Sequence, residues 1–162
     1  MKYISYYKSP IGNILLASDG NNLTGLWFED QKYFAKNLAN DVKKIDLEIF
    51  NLTKKWLDLY FKGINPDFKI PVKFYATDFQ KKVWQSLLEI NYGSVVSYGE
   101  LANRLHTSPR AIGTAIGKNP ISIIVPCHRV IGKNNALTGY AGGIFRKEYL
   151  LKLEHINLVR KQ

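Results

Sequence analysis

The hydrophobic pattern of this chain changes period part way along, and that change sets what it can fold into. The first stretch alternates with a period of two, as half-buried strands do. Three such runs stand out, Lys2–Tyr7, Gly12–Ser18 and Leu23–Phe28. Ser9-Pro10 and Asp19-Gly20-Asn21-Asn22 supply turn chemistry between them, so the segment reads as an antiparallel meander. Then Ile45, Ile49, Leu52, Trp56, Leu59 and Tyr60 recur at helical spacing, until Gly63 and Pro66 end the helix. A strand over Phe68–Phe74 is expected to return to the sheet, at an edge because Pro71 has no N–H to give.

From residue 77 the chain reads as helices with short links. Thr77-Asp78-Phe79-Gln80 is a capping box opening a helix whose apolar face holds Phe79, Val83, Trp84, Leu87 and Leu88, with Tyr92-Gly93 closing it. Ser97-Tyr98-Gly99-Glu100 starts a short helix through Leu105. His106–Ser108 forms a turn, and Pro109 opens a further helix to about Lys118. Helix, short turn, helix is the helix-turn-helix pattern, which by itself many non-binding helix pairs share. A last helix runs from near Gly143 to about Ile156, with Leu150, Leu151 and Leu153 inward. The expected fold class is therefore α/β in its α+β form. An antiparallel sheet with a helix occupies residues 1–75, and a mainly helical domain with a helix-turn-helix occupies residues 76–162.

Composition narrows the partners. At 162 residues, 46% hydrophobic and 13% aromatic, the chain suits a packed globular protein. Its start, MKYISYYKSPIGN, lacks the apolar core of a secretory signal, and no apolar run approaches bilayer length, so a cytoplasmic protein without membrane contact is expected. The net charge is +10 and uneven, with 12 Lys and Arg against 5 Asp and Glu from Ala76 onward. That surplus suits a polyanion. One cysteine allows no internal disulfide, and the three histidines are scattered over different motifs, so neither a metal site nor a cofactor is expected.

Several residues could carry chemistry. The helix after Ser108 is lined by small residues, Ala111, Gly113, Thr114, Ala115 and Gly117. Glycine costs about 1 kcal/mol against alanine inside a helix, so two of them need a reason: close helix packing, or close approach to a narrow groove. Arg110, alone among long charged residues there, looks like a wedge and not a base-reading array. Ile123-Ile124-Val125 is a buried apolar run leading into Pro126-Cys127-His128-Arg129-Val130. A lone cysteine is most often a small hydrophobe, but His128 beside it can act as the base a thiolate requires. Such a base needs an orienting acceptor. Glu154 is a candidate, although periodicity alone reads it as a solvated carboxylate at a helix end. Gly139-Tyr140-Ala141-Gly142-Gly143 brings backbone close to something, either an anion or a flat base.

At Pro126–Val130 the sequence closely resembles the O6-alkylguanine-DNA alkyltransferase family, also called methylated-DNA–protein-cysteine methyltransferases. The pattern continues in order through FQKKVW (Phe79–Trp84), SYGELA (Ser97–Ala102), RAIG (Arg110–Gly113), Asn119-Pro120 and GYAGG (Gly139–Gly143). The first half resembles only the looser ribonuclease-H-like lead domain of these proteins. The resemblance implies stoichiometric, irreversible alkyl transfer from O6-alkylguanine in double-stranded DNA, with O4-alkylthymine a second candidate, by a monomer. It implies that Cys127 accepts the alkyl group, that His128 is a water-mediated base oriented by Glu154, and that Tyr98 donates toward the guanine. Arg110 would fill the gap left by a flipped nucleotide, and the helix of Ser108, Ala111, Gly113 and Thr114 would lie in the minor groove. Asn119 would brace the turn before the active-site strand. Val130, Tyr140, Ala141 and Gly142 would border the base pocket, Val130 through its carbonyl. Ala141 departs from the Ser found in some members, and residues 76–78 are Ala-Thr-Asp where Gly-Thr-Pro is common. A lesion sensor without chemistry and a cysteine hydrolase using Cys127, His128 and Glu154 are the alternatives. The presence of Cys127 and His128 together opposes the first, and the basic half opposes the second.

Overall fold

The computed structural model describes residues 2–35, 38 and 40–156. These form two compact units, one up to Tyr75 together with Pro120–Ser122, the other Ala76–Asn119 with Ile123 onward.

In the first unit, β1 (Tyr3–Ser9), β2 (Gly12–Ser18) and β3 (Leu23–Phe28) form the expected meander. A two-residue β4 (Lys43–Lys44), not foreseen, adds in parallel to β1, giving the order β3-β2-β1-β4. Alternation gives the sheet two apolar faces. On one, Leu15, Ala17 and Trp27 cluster with Ile4, Ala35 and Leu38. On the other lies α1 (Glu48–Phe61), where Asp58 accepts a 2.6 Å hydrogen bond from the Tyr7 hydroxyl. The buried face of α1 is Ile49, Phe50, Thr53, Leu57 and Tyr60. It is thus rotated from the expected one: Ile45 precedes the helix and is exposed, and Leu52, Trp56 and Leu59 are half-buried. The helix ends in a Schellman motif, with Gly63 N–H on Tyr60 O and Ile64 N–H on Leu59 O.

The expected strand over Phe68–Phe74 does not form. Val72 alone bridges Leu23, through Leu23 N–H to Pro71 O (2.8 Å) and Lys73 N–H to Leu23 O (3.1 Å). Pro71 cannot donate, so the ladder stops there. Ile121 makes a second single bridge, to Leu26. Between them these bridges cover the edge of β3, all six residues of which are buried.

In the second unit, α2 (Asp78–Leu87) opens with the expected capping box at Thr77 and Gln80. The Trp84 indole N–H reaches Ala115 O at 2.9 Å and turns Val83, Trp84 and Leu87 inward. Phe79 and Leu88, expected on that face, lie at its two ends and stay 38% and 43% exposed. A short β5 (Val96–Ser97) leads into α3 (Tyr98–Leu105), which has its own capping box at Ser97 and Glu100. His106 ends α3 in the left-handed conformation, and Ser108 caps α4 (Pro109–Gly117). β5 pairs in parallel with β6 (Val130–Ile131), and α5 (Ile144–Leu153) closes the unit. It stops three residues short of the expected end, with Leu150 and Leu151 buried and Leu153 half-buried. No helix among the described residues is long and apolar enough to cross a membrane.

Candidate active site

Cys127 opens a single 3-10 turn, Cys127–Arg129. What precedes it is no strand. Ile123 sits at φ 69°, a costly conformation for a β-branched residue. Pro126, at φ −82° and ψ 64°, is the centre of an inverse γ-turn closed by Cys127 N–H on Val125 O at 2.8 Å. Asn119, 3% exposed, holds the same carbonyl from its side-chain amide at 3.0 Å. It therefore ties down the segment carrying the cysteine, which is a turn.

Three charged or ionisable side chains converge behind Cys127. The His128 Nε2 and Glu154 Oε2 atoms lie 2.7 Å apart, both side chains being fully buried. Arg129 gives Nε to Glu154 Oε1 at 2.8 Å and Nη2 to Oε2 at 3.2 Å, while its Nη1 takes the Ile90 carbonyl at 2.7 Å. Gly93, expected merely to close α2, has φ 78° and gives its N–H to Glu154 Oε1 at 3.0 Å. Only a residue at ease in that conformation points its amide this way. Glu154 is thus the hub, and its reading as a solvated carboxylate is overturned. Lys147, Leu150, Leu151 and Glu154 fall at i, i+3, i+4 and i+7 of one inward stripe, all four buried.

Burial pulls the Glu154 carboxyl upward, but the hydrogen bonds and charges of His128 and Arg129 outweigh it and hold it at about 2. Burial lowers His128 below the ordinary imidazole range against the pull of Glu154, so the ring is neutral at pH 7. Arg129 already balances the carboxylate. Burial raises the Cys127 thiol, with opposing contributions from the Asn119 side chain, the Lys147 charge and nearby backbone N–H groups.

Lys147 was not foreseen. Its Nζ donates to Val130 O at 2.6 Å, and the side chain is fully buried. The signal was present: a lysine continues the Leu150–Leu151 stripe one turn back. The Val130 carbonyl, expected at the base pocket, carries this ammonium on one of its two lone pairs.

Tyr98, the first residue of α3, is partly buried and its hydroxyl lies 3.5 Å from Thr138 Oγ1. Burial raises its pKa, Thr138 opposes, and the Cys127 charge adds to the rise, so the phenol keeps its proton. Tyr98 also lines a cleft of about 860 Å³ with Val96, Arg110, Gly113, Ile131 and Asn134. Arg110, Ser108 and Thr114 are exposed along α4, and Ala111 and Gly113 are half-buried. Tyr140 and Ala141 are half-buried and Gly142 buried, in a turn closed by Gly143 N–H on Tyr140 O. Among the described residues, no cluster of His, Cys, Asp or Glu could hold a metal ion.

An antiparallel lead unit and a helical unit carrying a buried Cys-His-Glu arrangement define a class of protein that known sequences make specific. Residues 2–74 match the ribonuclease-like domain of 6-O-methylguanine DNA methyltransferase, and residues 78–156 match the DNA binding domain of the same family. The chain is 43% identical over 162 residues to the methylated-DNA–protein-cysteine methyltransferase of Haemophilus influenzae, covering 98% of this chain and 89% of that one. It is 45% identical over 158 residues to the Methanosarcina mazei protein of the same name, covering 96% and 99%. Among solved structures, Mycobacterium tuberculosis OGT in complex with DNA superposes with a TM-score of 0.84 at 42% identity, covering 94% and 92%. The chain belongs to the 6-O-methylguanine DNA methyltransferase family.

Proposed function

We propose that this protein repairs DNA by moving an alkyl group from O6 of a modified guanine to Cys127, once per molecule. The observation that carries the reading is the buried Glu154–His128 contact of 2.7 Å directly beside the chain's single cysteine.

Ionised Glu154 fixes the proton of His128 on Nε2, which makes Nδ1 the basic nitrogen. Through a water molecule, that nitrogen takes the Cys127 proton. The thiolate then attacks the alkyl carbon. A carbon–sulfur bond forms, the carbon–O6 bond breaks, and its electron pair passes to the guanine ring. Tyr98, which holds its proton in the site, donates it to the leaving base. The proton on His128 returns by way of solvent to the phenolate. The product thioether has no carbonyl for water to attack, so the thiol is not regenerated.

A buried acceptor, 3% exposed, cannot reach a base stacked in a duplex. The nucleotide must be turned out into the site, at a cost of a few kcal/mol. In this reading Arg110, exposed at the start of α4, fills the gap and offsets part of that cost. The smallness of α4 supports its lying in the minor groove. A Cβ at Gly113 would meet Tyr98 at an ordinary 3.9 Å and one at Gly117 would meet nothing, so packing within the described residues does not demand either glycine. Val130 O, through its second lone pair, and Tyr140, Ala141 and Gly142 border the extruded base.

Incubation with duplex DNA containing O6-methylguanine, followed by intact-mass measurement, tests the reading. The expected result is a gain of one methylene mass on Cys127, saturating at one per chain. The Cys127→Ser variant should bind the same DNA and gain nothing. Removal of the methyl group without mass gain, or by the serine variant, would overturn the reading. DNA with O4-methylthymine, assayed in parallel, defines the second substrate.

A further inference from the structure

The buried charges of this site do not balance while Cys127 is a thiol. Among the described residues Glu154 is the sole buried carboxylate, and Arg129 is paired with it through two hydrogen bonds. His128 is neutral. Lys147, 0% exposed, is then a second buried cation with no carboxylate against it among the described residues. Its hydrogen-bond partner is a neutral carbonyl, Val130 O at 2.6 Å, and the Tyr98 ring centre lies 6.0 Å from its Nζ. An uncompensated buried ammonium is expensive. Yet its position is tightly set. Val130 ends the 3-10 turn that Cys127 begins, its N–H bonded to Cys127 O, and α5 packs on that turn. The ionisable groups facing Lys147 are Cys127 and His128 from the turn and Tyr98 from α3.

We propose that the Lys147 ammonium is the built-in counter-charge of the Cys127 thiolate, and so a positioning residue that sets how readily the nucleophile forms. With the thiol protonated the group Arg129, Glu154, Lys147 and Cys127 carries one net positive charge; with the thiolate formed it carries none. Loss of the proton to solvent, by way of His128, therefore relieves the lysine, and the lysine favours that loss. Burial draws Lys147 down and Cys127 draws it partly back, leaving it at about 8, so it is mainly charged near neutral pH, and the coupling acts equally on both partners. The bond to Val130 O holds the ammonium in place. Transfer of the alkyl group converts the thiolate to a neutral thioether and removes the counter-charge, leaving Lys147 uncompensated in the spent protein.

This inference rests on the proposed alkyl transfer for its meaning, but the test does not depend on DNA. The rate of Cys127 carboxamidomethylation by iodoacetamide would be followed against pH for the wild type, Lys147→Gln and Lys147→Arg. Gln keeps a donor for Val130 O without charge; Arg keeps the charge. Expected is a reactivity midpoint raised in Lys147→Gln, with about tenfold slower labelling at neutral pH, a one-unit shift being tenfold, and recovery in Lys147→Arg. A folded Lys147→Gln protein with the wild-type midpoint overturns the proposal. Should Lys147→Gln fail to fold, the wild type still decides. The Lys147 Cε resonance, titrated before and after Cys127 is carboxamidomethylated, should show a lower lysine midpoint once the sulfur is capped, and an unchanged one refutes the pairing. Methyl transfer by the wild type from O6-methylguanine DNA, measured beside these, separates failure of this inference from failure of the alkyl-transfer reading.

Discussion

Glu154 accepts hydrogen bonds from His128, Arg129 and the Gly93 amide at once, so its charge holds three segments of the second unit together. Breaking one partner of a buried ion pair costs about 3–5 kcal/mol. Glu154→Gln should therefore lower unfolding stability by about that amount in urea titration, and should slow alkyl transfer. The pH dependence follows from the same group. Its folded pKa of about 2 lies below the ordinary value of 4.5, so the unfolded chain binds the proton first on acidification. The stabilisation is complete above about 4.5 and is lost as pH falls toward 2. Urea midpoints measured across that window should fall steeply in the wild type and less in Glu154→Gln. Equal slopes would remove Glu154 from the acid response.

At the scale of elements, α4 is where structure and proposed DNA contact meet. Arg110 is exposed, so Arg110→Ala should leave stability within about 0.5 kcal/mol. It should slow repair of duplex DNA more than repair of free O6-methylguanine base. Equal losses on both substrates would rule out a gap-filling role. Gly113→Ala makes the complementary prediction. The added methyl meets only an ordinary contact at 3.9 Å, and alanine favours the helix by about 1 kcal/mol. Thermal unfolding should be unchanged or later, while the proposed minor-groove placement of α4 requires DNA affinity to fall. Unchanged affinity would detach α4 from the minor groove.

Over the whole molecule, charge is the property that counts. Within residues 78–156, which match the DNA binding domain of the family, 10 basic residues stand against 5 acidic ones. Each phosphate contact releases counterions, so affinity for duplex DNA should fall more than about tenfold between about 50 and 200 mM salt. A salt-independent affinity would point away from phosphate contacts.

The amino-acid sequence by itself determined the elements whose signals are local. Capping boxes at Thr77–Gln80 and Ser97–Glu100, the cap at Ser108 with Pro109 behind it, and the period-two runs of β1 to β3 act through neighbours a few residues apart. They formed as read. It also singled out Cys127 and His128, because the string around them is distinctive. Tertiary structure decided the rest, for one physical reason: the energies concerned depend on groups distant along the chain. Val72 and Ile121 reach the edge of β3 from 49 and 95 positions further along the chain, and only the fold shows that they supply single bridges instead of a strand. The rotation of α1, and the exposure of Phe79 and Leu88, follow from what covers each helix and not from helical spacing. Above all, Glu154 and Lys147 are charged residues on an apolar stripe. A helix pattern alone sends such residues to solvent, and they are buried here because Arg129, His128, Gly93 and the Val130 carbonyl, 17 to 61 positions away, are there to receive them.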